Sequence, residues 1–393
     1  MAPQTLNPTK TSIPQNHTNG GIHMVSAVQR NRIKKVFAEV ENDGKMVDVI
    51  LFVNSTEPHM DLGFFYVTGL TEGVFEDSVA VVWKNGEGTL VTSILEEETA
   101  KKSGFKLHIM ESREEWKDRL KEAAGPAEVI GVNAEEITLS KYQRIKETFP
   151  NAEIVDISPY LKRARMVKDE EEIERTKRAC DLASRAAELI VESIKEGVRE
   201  YEIAAELTYL MQKHGASGNS FSPIAAFGPN SAEPHYLAGD REAKKGDTIL
   251  LDFGCVFKRY TSDITRTFFL GKATAEQKKV YETVLHAQEL GIDAIAEGVN
   301  GAEVDRKVRE YIDSTEYKGR FIHSTGHSIG LSVHDGGVLN HKIDLPLRAG
   351  MIFTVEPGIY LPGNFGVRIE DDVLVTPRGH EVLTTAPKDL LEL

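Results

Sequence analysis

The chain has 393 residues, with 47 Lys and Arg against 61 Asp and Glu, and its formal net charge is −14. Hydrophobic residues make up 40% and charged residues 27% of the chain, which is typical of a folded globular protein and excludes a collagen-like or wholly disordered one. Because binding to a phosphate backbone depends on a basic surface, the acidic balance argues against nucleic acid as a partner.

Cysteine usage and hydropathy predict a cytoplasmic protein. Its two cysteines, Cys180 and Cys255, are too few for a disulfide framework, which indicates a reducing compartment. No apolar run approaches the roughly 18–20 residues that span a bilayer. The first 30 residues lack the apolar segment of a secretory signal. We therefore expect no association with a membrane.

The first part of the chain predicts a tail followed by an α/β domain. Residues 1–23 are rich in Pro, Thr, Asn, Gln and Gly and are expected to be disordered. From residue 24 to 160, strand-like and helix-like stretches alternate, which is typical of an α/β domain. Strands are expected at 47–53 and 78–83, and helices at about 95–103 and 112–124.

The second domain, residues 161–393, begins with a long amphipathic helix. Asp169 is its expected N-cap, and apolar residues recur at helical spacing until Gly197. Three more helices are expected: one that stops before Gly215, one that runs from a Thr274–Gln277 capping box to about Glu297, and one that follows Asn300.

This second domain contains a repeat. In 246–254 and again in 350–358, a glycine is followed six residues later by an acid, Asp252 or Glu356, through an apolar run, and a second glycine comes two residues after the acid. A further acid lies downstream in each case, namely Asp263 or Glu370. A buried carboxylate needs a cation, hydrogen-bond donors or a proton, because an isolated buried charge is very costly. A single acid of this kind is most often a strand-end residue in contact with water, but four in two similar frames favour a shared cation site.

A histidine-rich segment strengthens this interpretation. Residues 323–334 contain His323, His327 and His334 among glycines and small residues, which allow the backbone to approach a bound group closely. Four carboxylates with one imidazole, that of His327, form a mostly hard-oxygen set. Such a set suits Mn²⁺ or Co²⁺, allows Zn²⁺, and resembles neither a thiolate zinc site nor a calcium loop.

Six motifs follow one another along the chain, and they are Pro234-His235-Tyr236, 251–254, 262–267, 323–334, 354–358 and 367–371. The sequence resembles the pita-bread metallopeptidase superfamily, which includes methionine aminopeptidase, aminopeptidase P and prolidase. The resemblance covers residues 161–393, and residues 24–160 resemble the N-terminal domain of the proline-specific branch and of creatinase. It implies an α/β (α+β) fold in which a creatinase-like domain precedes a pita-bread catalytic domain with an internal pseudo-twofold repeat.

The resemblance also implies roles for individual residues. Asp252, Asp263, His327, Glu356 and Glu370 would bind two divalent metal ions, and Mn²⁺ is the ion we expect first. Asp263 and Glu370 would bridge the ions, a bridging hydroxide would be the nucleophile, and Glu356 would also carry a proton to the leaving nitrogen. The substrate-pocket residues implied by the resemblance are His235, His323 and His334, with Arg368 ordering the site. For Arg368, a surface ion pair is the alternative.

The implied activity is hydrolysis of the bond between an N-terminal residue and a following proline. Proline specificity rests on the resemblance alone, as does the expectation of a homodimer. Some dipeptidases of the family carry an arginine four residues beyond the histidine that corresponds to His334, and here that position is Val338. This departure favours an Xaa-Pro aminopeptidase acting on longer peptides. The alternatives are an Xaa-Pro dipeptidase (prolidase), a metal-free creatinase-like hydrolase, and a non-catalytic binding protein on the same fold.

Overall fold

A computed structural model describes residues 24–393, so the expected disordered tail at 1–23 lies outside the described residues. The α-helices of this range are α1 (Ala27–Asn42), α2 (Leu62–Thr68), α3 (Glu97–Ala100), α4 (Trp116–Ala124), α5 (Leu139–Thr148), α6 (Ser158–Met166), α7 (Glu170–Leu189), α8 (Glu200–Lys213), α9 (Ala275–Asp293) and α10 (Gly301–Asp313). The strands are β1 (Val49–Val53), β2 (Val79–Val82), β3 (Gly88–Ser93), β4 (Lys106–Met110), β5 (Val129–Val132), β6 (Glu153–Asp156), β7 (Gly218–Asn219), β8 (Ile224–Phe227), β9 (Thr248–Phe253), β10 (Cys255–Phe257), β11 (Tyr260–Thr261), β12 (Ile264–Phe269), β13 (Gly326–His327), β14 (Val338–Leu339), β15 (Ile352–Val355), β16 (Gly358–Leu361), β17 (Phe365–Arg368), β18 (Asp371–Thr376) and β19 (Gly379–Val382).

The N-terminal half is built on one mixed sheet with the strand order β4-β3-β2-β1-β5-β6. The central strand β1 is buried on both faces. Because side chains alternate along a strand, Ile50 and Phe52 pack into a core with α1, α2 and α6, whereas Leu51 packs into a core with α4 and α5 on the other face. The strands expected at 47–53 and 78–83 are β1 and β2.

The helices expected at 95–103 and 112–124 are shorter than the prediction. The first consists of α3 between two 3₁₀ turns, and the second becomes α-helical only at Trp116. In the first segment Ile94 and Leu95 are exposed, and α3 buries only Ala100. A helix gains most of its stability from packing an apolar face, so this segment lacks the main contribution that would extend it.

The C-terminal half places four helices around small antiparallel sheets. The capping box at Asp169 is present and begins α7, but α7 ends at Leu189 instead of continuing toward Gly197, because the chain passes through a 3₁₀ turn and becomes extended at Ile194. The expected helix before Gly215 is α8. The Thr274–Gln277 capping box begins α9, and Asn300 caps α10.

The two repeats fold into corresponding strand pairs. The first gives β9, which pairs antiparallel with β12, and the second gives β15, which pairs antiparallel with β18. Each pair is extended by a third strand, β8 in the first sheet and β19 in the second. The repeat in the sequence is therefore a repeat in the structure, and both pairs end at the same cavity.

The two halves meet through buried contacts. The boundary expected after residue 160 falls within α6, whose Leu161 packs into the core of the N-terminal sheet. Just beyond it, the carboxylate of Asp169 accepts two hydrogen bonds from Arg32 of α1, at 2.7 and 3.0 Å. The boundary itself stays a prediction. Within residues 24–393, no helix has the length and apolar character needed to cross a membrane.

Candidate active site

The four acids of the repeat lie at strand ends. Asp252 lies near the end of β9, opposite Thr265 of β12. Asp263 directly precedes β12, Glu356 directly follows β15, and Glu370 directly precedes β18. Only Asp252 lies within a strand. At a strand end, a carboxylate can point into a cavity while the neighbouring backbone keeps its ladder of hydrogen bonds.

These strand ends line a cavity of about 380 Å³. All residues predicted to act in metal binding or catalysis contribute to its wall. They are His235, Asp252, Asp263, His323, His327, His334, Glu356, Arg368 and Glu370. The remaining wall is largely apolar and includes Phe221, Ile224, Val333 and Val338.

At the floor of the cavity, candidate ligand atoms converge. One atom each from Asp263, His327 and Glu370 lies within 4.8 Å of the other two. The Nε2 atom of His327 is 3.6 Å from an oxygen of Asp263 and 3.5 Å from an oxygen of Glu356. Neighbouring donors fix the orientation of the acids: Thr265 Oγ1 donates to Glu370 at 2.6 Å.

The electrostatics of this cluster favour a cation. Burial, followed by repulsion from the neighbouring carboxylates, raises the pKa of Asp263 and of Glu370 well above their usual values. Burial also raises the pKa of Glu356 to about 8. Burial, with a smaller contribution from His334, lowers the pKa of His327 to about 3, so its imidazole is neutral and able to act as a ligand.

The residues present fit a pair of divalent metal ions. The Oδ1 atoms of Asp252 and Asp263 are buried and have no hydrogen-bond partner within residues 24–393. Unpaired buried carboxylate oxygens are costly, and a bound cation removes that cost. Four carboxylates balance the charge of two divalent ions, and the oxygen-rich donor set with one imidazole suits Mn²⁺, Co²⁺ or Zn²⁺.

Arg368 is part of the cavity wall and not a surface residue. Its side chain is 3% exposed. The guanidinium donates to Asp252 at 2.5 Å, to the hydroxyl of Tyr360 at 2.9 Å and to Thr265 Oγ1 at 3.1 Å. The alternative of a surface ion pair is therefore wrong, because the structure buries this group against the candidate ligands.

The three pocket histidines occupy different environments. His323 is bonded at both ring nitrogens, to the carbonyl oxygen of Ser324 at 2.9 Å and to the Tyr360 hydroxyl at 2.8 Å. Burial, then the charge of Arg368, lowers the pKa of His323 to about 4. The ring of His334 lies 4.2 Å from that of His327, and burial together with His235 lowers the pKa of His334.

Sequence reasoning missed several residues that hold the site together. Thr265 bonds to Glu370 and Arg368, and Tyr360 bonds to Arg368 and His323. Of these two, only Thr265 lies in a motif that the sequence singled out. Gly326 has a steric role: a Cβ atom there would lie 1.8 Å from the carbonyl oxygen of Thr354. Only glycine therefore lets the backbone before His327 approach β15 this closely.

Comparisons with known proteins agree with this geometry. Residues 174–377 match the family model described as metallopeptidase family M24, and residues 32–167 match the model described as the creatinase/prolidase N-terminal domain. A protein of Pyrococcus furiosus named Xaa-Pro dipeptidase is 37% identical over 311 residues, which cover 79% of this chain and 88% of that protein.

Two solved structures show the same fold over most of the chain. An X-Pro aminopeptidase from Thermotoga maritima superposes with a TM-score of 0.83 at 36% identity, covering 88% of this chain and 98% of that one. An Xaa-Pro dipeptidase from Bacillus anthracis superposes with a TM-score of 0.83 at 35% identity, covering 93% of this chain and 100% of that one.

Proposed function

We propose that this chain, which belongs to metallopeptidase family M24, hydrolyses the peptide bond between an N-terminal residue and a following proline, with Xaa-Pro dipeptides as its main substrates. The family and the mixed α/β fold confirm the resemblance expected from the sequence. One observation carries the proposal: five candidate metal ligands, distant in sequence, line one cavity with three histidines and an arginine.

The residues that would hold two divalent ions are Asp252, Asp263, His327, Glu356 and Glu370. Two bound divalent ions supply Lewis-acid polarisation of the scissile carbonyl and lower the pKa of a water molecule. We propose Mn²⁺ as the native metal, since hard oxygen ligands dominate the set.

The chain's own groups supply proton transfer and positioning. Glu356 lines the cavity beside the other candidate ligands and is the proposed proton carrier to the leaving nitrogen. His323 is neutral and bonded to Tyr360. His235 and His334 face the cavity and are the proposed hydrogen-bond donors to substrate oxygens.

The cavity suits a proline ring on the leaving side. A bond before proline has no amide hydrogen, and the ring restricts the backbone of the preceding residue. The apolar wall formed by Phe221, Ile224, Val333 and Val338 offers the ring a surface without polar groups to satisfy.

The length of the substrate separates two candidate activities. The dipeptidase proposal draws on the names of the Pyrococcus and Bacillus proteins. The second candidate, an aminopeptidase on longer peptides, is favoured by the cavity wall. Within residues 24–393, Arg368 is the only Lys or Arg of that wall, and it is already bonded to Asp252. A free substrate carboxylate would then depend on His235 or His334.

The test compares an Xaa-Pro dipeptide with an Xaa-Pro-Xaa tripeptide after EDTA treatment and return of Mn²⁺ or Co²⁺. We expect hydrolysis that depends on metal, with a higher kcat/KM for the dipeptide. A higher value for the tripeptide would establish the aminopeptidase instead. Activity that persists in metal-free protein would support a creatinase-like hydrolase, and no hydrolysis with two ions bound would support a binding protein.

We further propose a homodimer in the cytoplasm. Cys180 and Cys255, the two cysteines of the chain, are buried free thiols, which is consistent with a reducing compartment. Light scattering of the purified protein tests the dimer, and a monomeric mass would contradict it.

A further inference from the structure

We infer that Glu200 is a positioning residue for His235. The buried carboxylate of Glu200 holds in place the loop of residues 228–240, and this loop places His235 at the cavity. Glu200 lies outside every motif of the sequence analysis. The inference rests on the proposed function only in the role that it gives to His235.

The carboxylate of Glu200 accepts four hydrogen bonds. Glu200 is the first residue of α8 and is completely buried. Its Oε1 atom accepts from the backbone N–H of Phe227 and from the side-chain amide of Asn230, both at 2.9 Å. Its Oε2 atom accepts from the Tyr236 hydroxyl at 2.8 Å and from the backbone N–H of Gly239 at 3.1 Å.

These bonds span the loop from its start to its end. Phe227 is the last residue of β8, directly before the loop, whereas Asn230, Tyr236 and Gly239 lie within it. One carboxylate therefore joins points on both sides of His235. A Cβ atom at position 239 would lie 2.9 Å from the Tyr236 hydroxyl, so a larger residue there would displace the hydroxyl that donates to Glu200.

His235 depends on this loop because its own side chain has no fixed partner. His235 is exposed, and neither of its ring nitrogens forms a hydrogen bond to any residue of the described part of the chain. Its two neighbours are held instead: the carbonyl of Pro234 accepts from Arg368 at 3.4 Å, and the hydroxyl of Tyr236 donates to Glu200. The position of His235 is therefore set by the backbone on either side of it.

The arrangement requires a carboxylate and not merely a polar side chain. Backbone N–H groups point at both oxygens, from Phe227 at Oε1 and from Gly239 at Oε2. Glutamine has one acceptor oxygen, and its amide group would place N–H donors against one of these backbone donors. A buried donor without an acceptor is costly, so Glu200→Gln should release one part of the loop without changing the volume of the side chain.

Hydrogen–deuterium exchange tests the anchoring without any substrate. In the metal-loaded Glu200→Gln variant, we expect the amide of either Phe227 or Gly239, whichever faces the new side-chain nitrogen, to exchange at least about tenfold faster. That amide loses its charge-assisted hydrogen bond. Glu206→Gln, on the same helix, is the matched control and should leave both amides unchanged. Unchanged exchange in Glu200→Gln, or loss of bound metal, would overturn the inference.

Kinetics tests the connection to His235. We expect Glu200→Gln to lower kcat/KM by up to about 10²-fold, as for a misplaced catalytic-site group. The double variant with His235→Ala should be no worse than His235→Ala alone. Tyr236→Phe removes only one of the four bonds, and we expect it to lower kcat/KM by less than Glu200→Gln does. It replaces Glu200→Gln in the test if that variant folds poorly. Additive losses in the double variant would overturn the positioning role. If the wild-type protein cleaves no Xaa-Pro peptide, the proposed function fails, and the exchange experiment still decides the anchoring.

Discussion

The Nε2 atom of His327 lies 3.6 Å from Oδ2 of Asp263 in a buried part of the cavity. Burial lowers the pKa of His327 and raises that of Asp263, so it disfavours the charged form of both side chains. The two side chains therefore do not form an ordinary ion pair. They present electron pairs toward a common region, as two ligands of one cation would.

The first prediction concerns Asp263. Replacing Asp263 by Asn removes an anionic oxygen at the point where the candidate ligands converge, and a neutral amide is a poor substitute for it. We expect kcat/KM to fall by at least about 10²-fold, in line with the loss of a group that organises the transition state. Bound metal, measured by atomic absorption, should fall from two ions per chain. Asp118→Asn, at an exposed position of α4, is the control. Full metal content with near-normal turnover would contradict the ligand role.

The second prediction concerns pH and metal together. Burial raises the pKa of Glu356 from 4.5 to about 8. In this interval the native metal-free protein binds more protons than the unfolded chain, so its unfolding free energy falls as the pH rises. Bound metal replaces those protons and stabilises only the native state. The increase in Tm on adding Mn²⁺ should therefore be larger at about pH 8 than at about pH 5. An increment that does not vary with pH would contradict this prediction.

The third prediction concerns a buried charge cluster behind the histidine-rich segment. Asp335, adjacent to His334, pairs with Arg165 and lies 3.5 Å from the ammonium of Lys168, and all three side chains are buried. Asp335→Asn leaves two buried cations without their counter-ion, and we expect a loss of about 3–5 kcal/mol in unfolding free energy. Glu98→Gln, in an exposed pair with Lys101, should cost less than about 1 kcal/mol. Urea unfolding measures both, and similar costs would contradict the prediction.

The fourth prediction concerns Val338 on the cavity wall. Val338→Arg adds a cation to the cavity wall that can pair with the free carboxylate of a dipeptide substrate, and such charge-assisted hydrogen bonds are strong. We expect the ratio of kcat/KM for an Xaa-Pro dipeptide to that for the tripeptide to rise by about tenfold or more. Val338→Leu is the control for side-chain volume. An unchanged ratio in the arginine variant would show that the carboxylate end of the substrate does not reach Val338.

Local signals in the sequence predicted much of the secondary structure. The capping boxes at Asp169 and Thr274 begin α7 and α9, because the cap is satisfied within one turn of chain. Helix ends were less predictable: α7 stops at Leu189 although apolar spacing continues. The segment at 95–103 forms only a short helix, since Leu95 and the preceding Ile94 are exposed and do not pack into the core.

For the candidate site, the sequence by itself determined which residue types meet. The paired frames ending in Asp252 and Glu356, with Asp263, Glu370 and the segment around His327, already indicated a cation site. Their signal is local, because acids beside buried strands need a partner wherever those strands lie.

Only the tertiary structure decided how these groups face one another and what holds them. The pairing of β9 with β12 and of β15 with β18 brings the acids to one cavity. Neither Glu200 nor Tyr360 lies in a motif, because their roles consist of hydrogen bonds to groups far along the chain, Tyr236 for Glu200 and His323 for Tyr360. Such contacts depend on long-range strand pairing and on the exclusion of water, which no short stretch of sequence records.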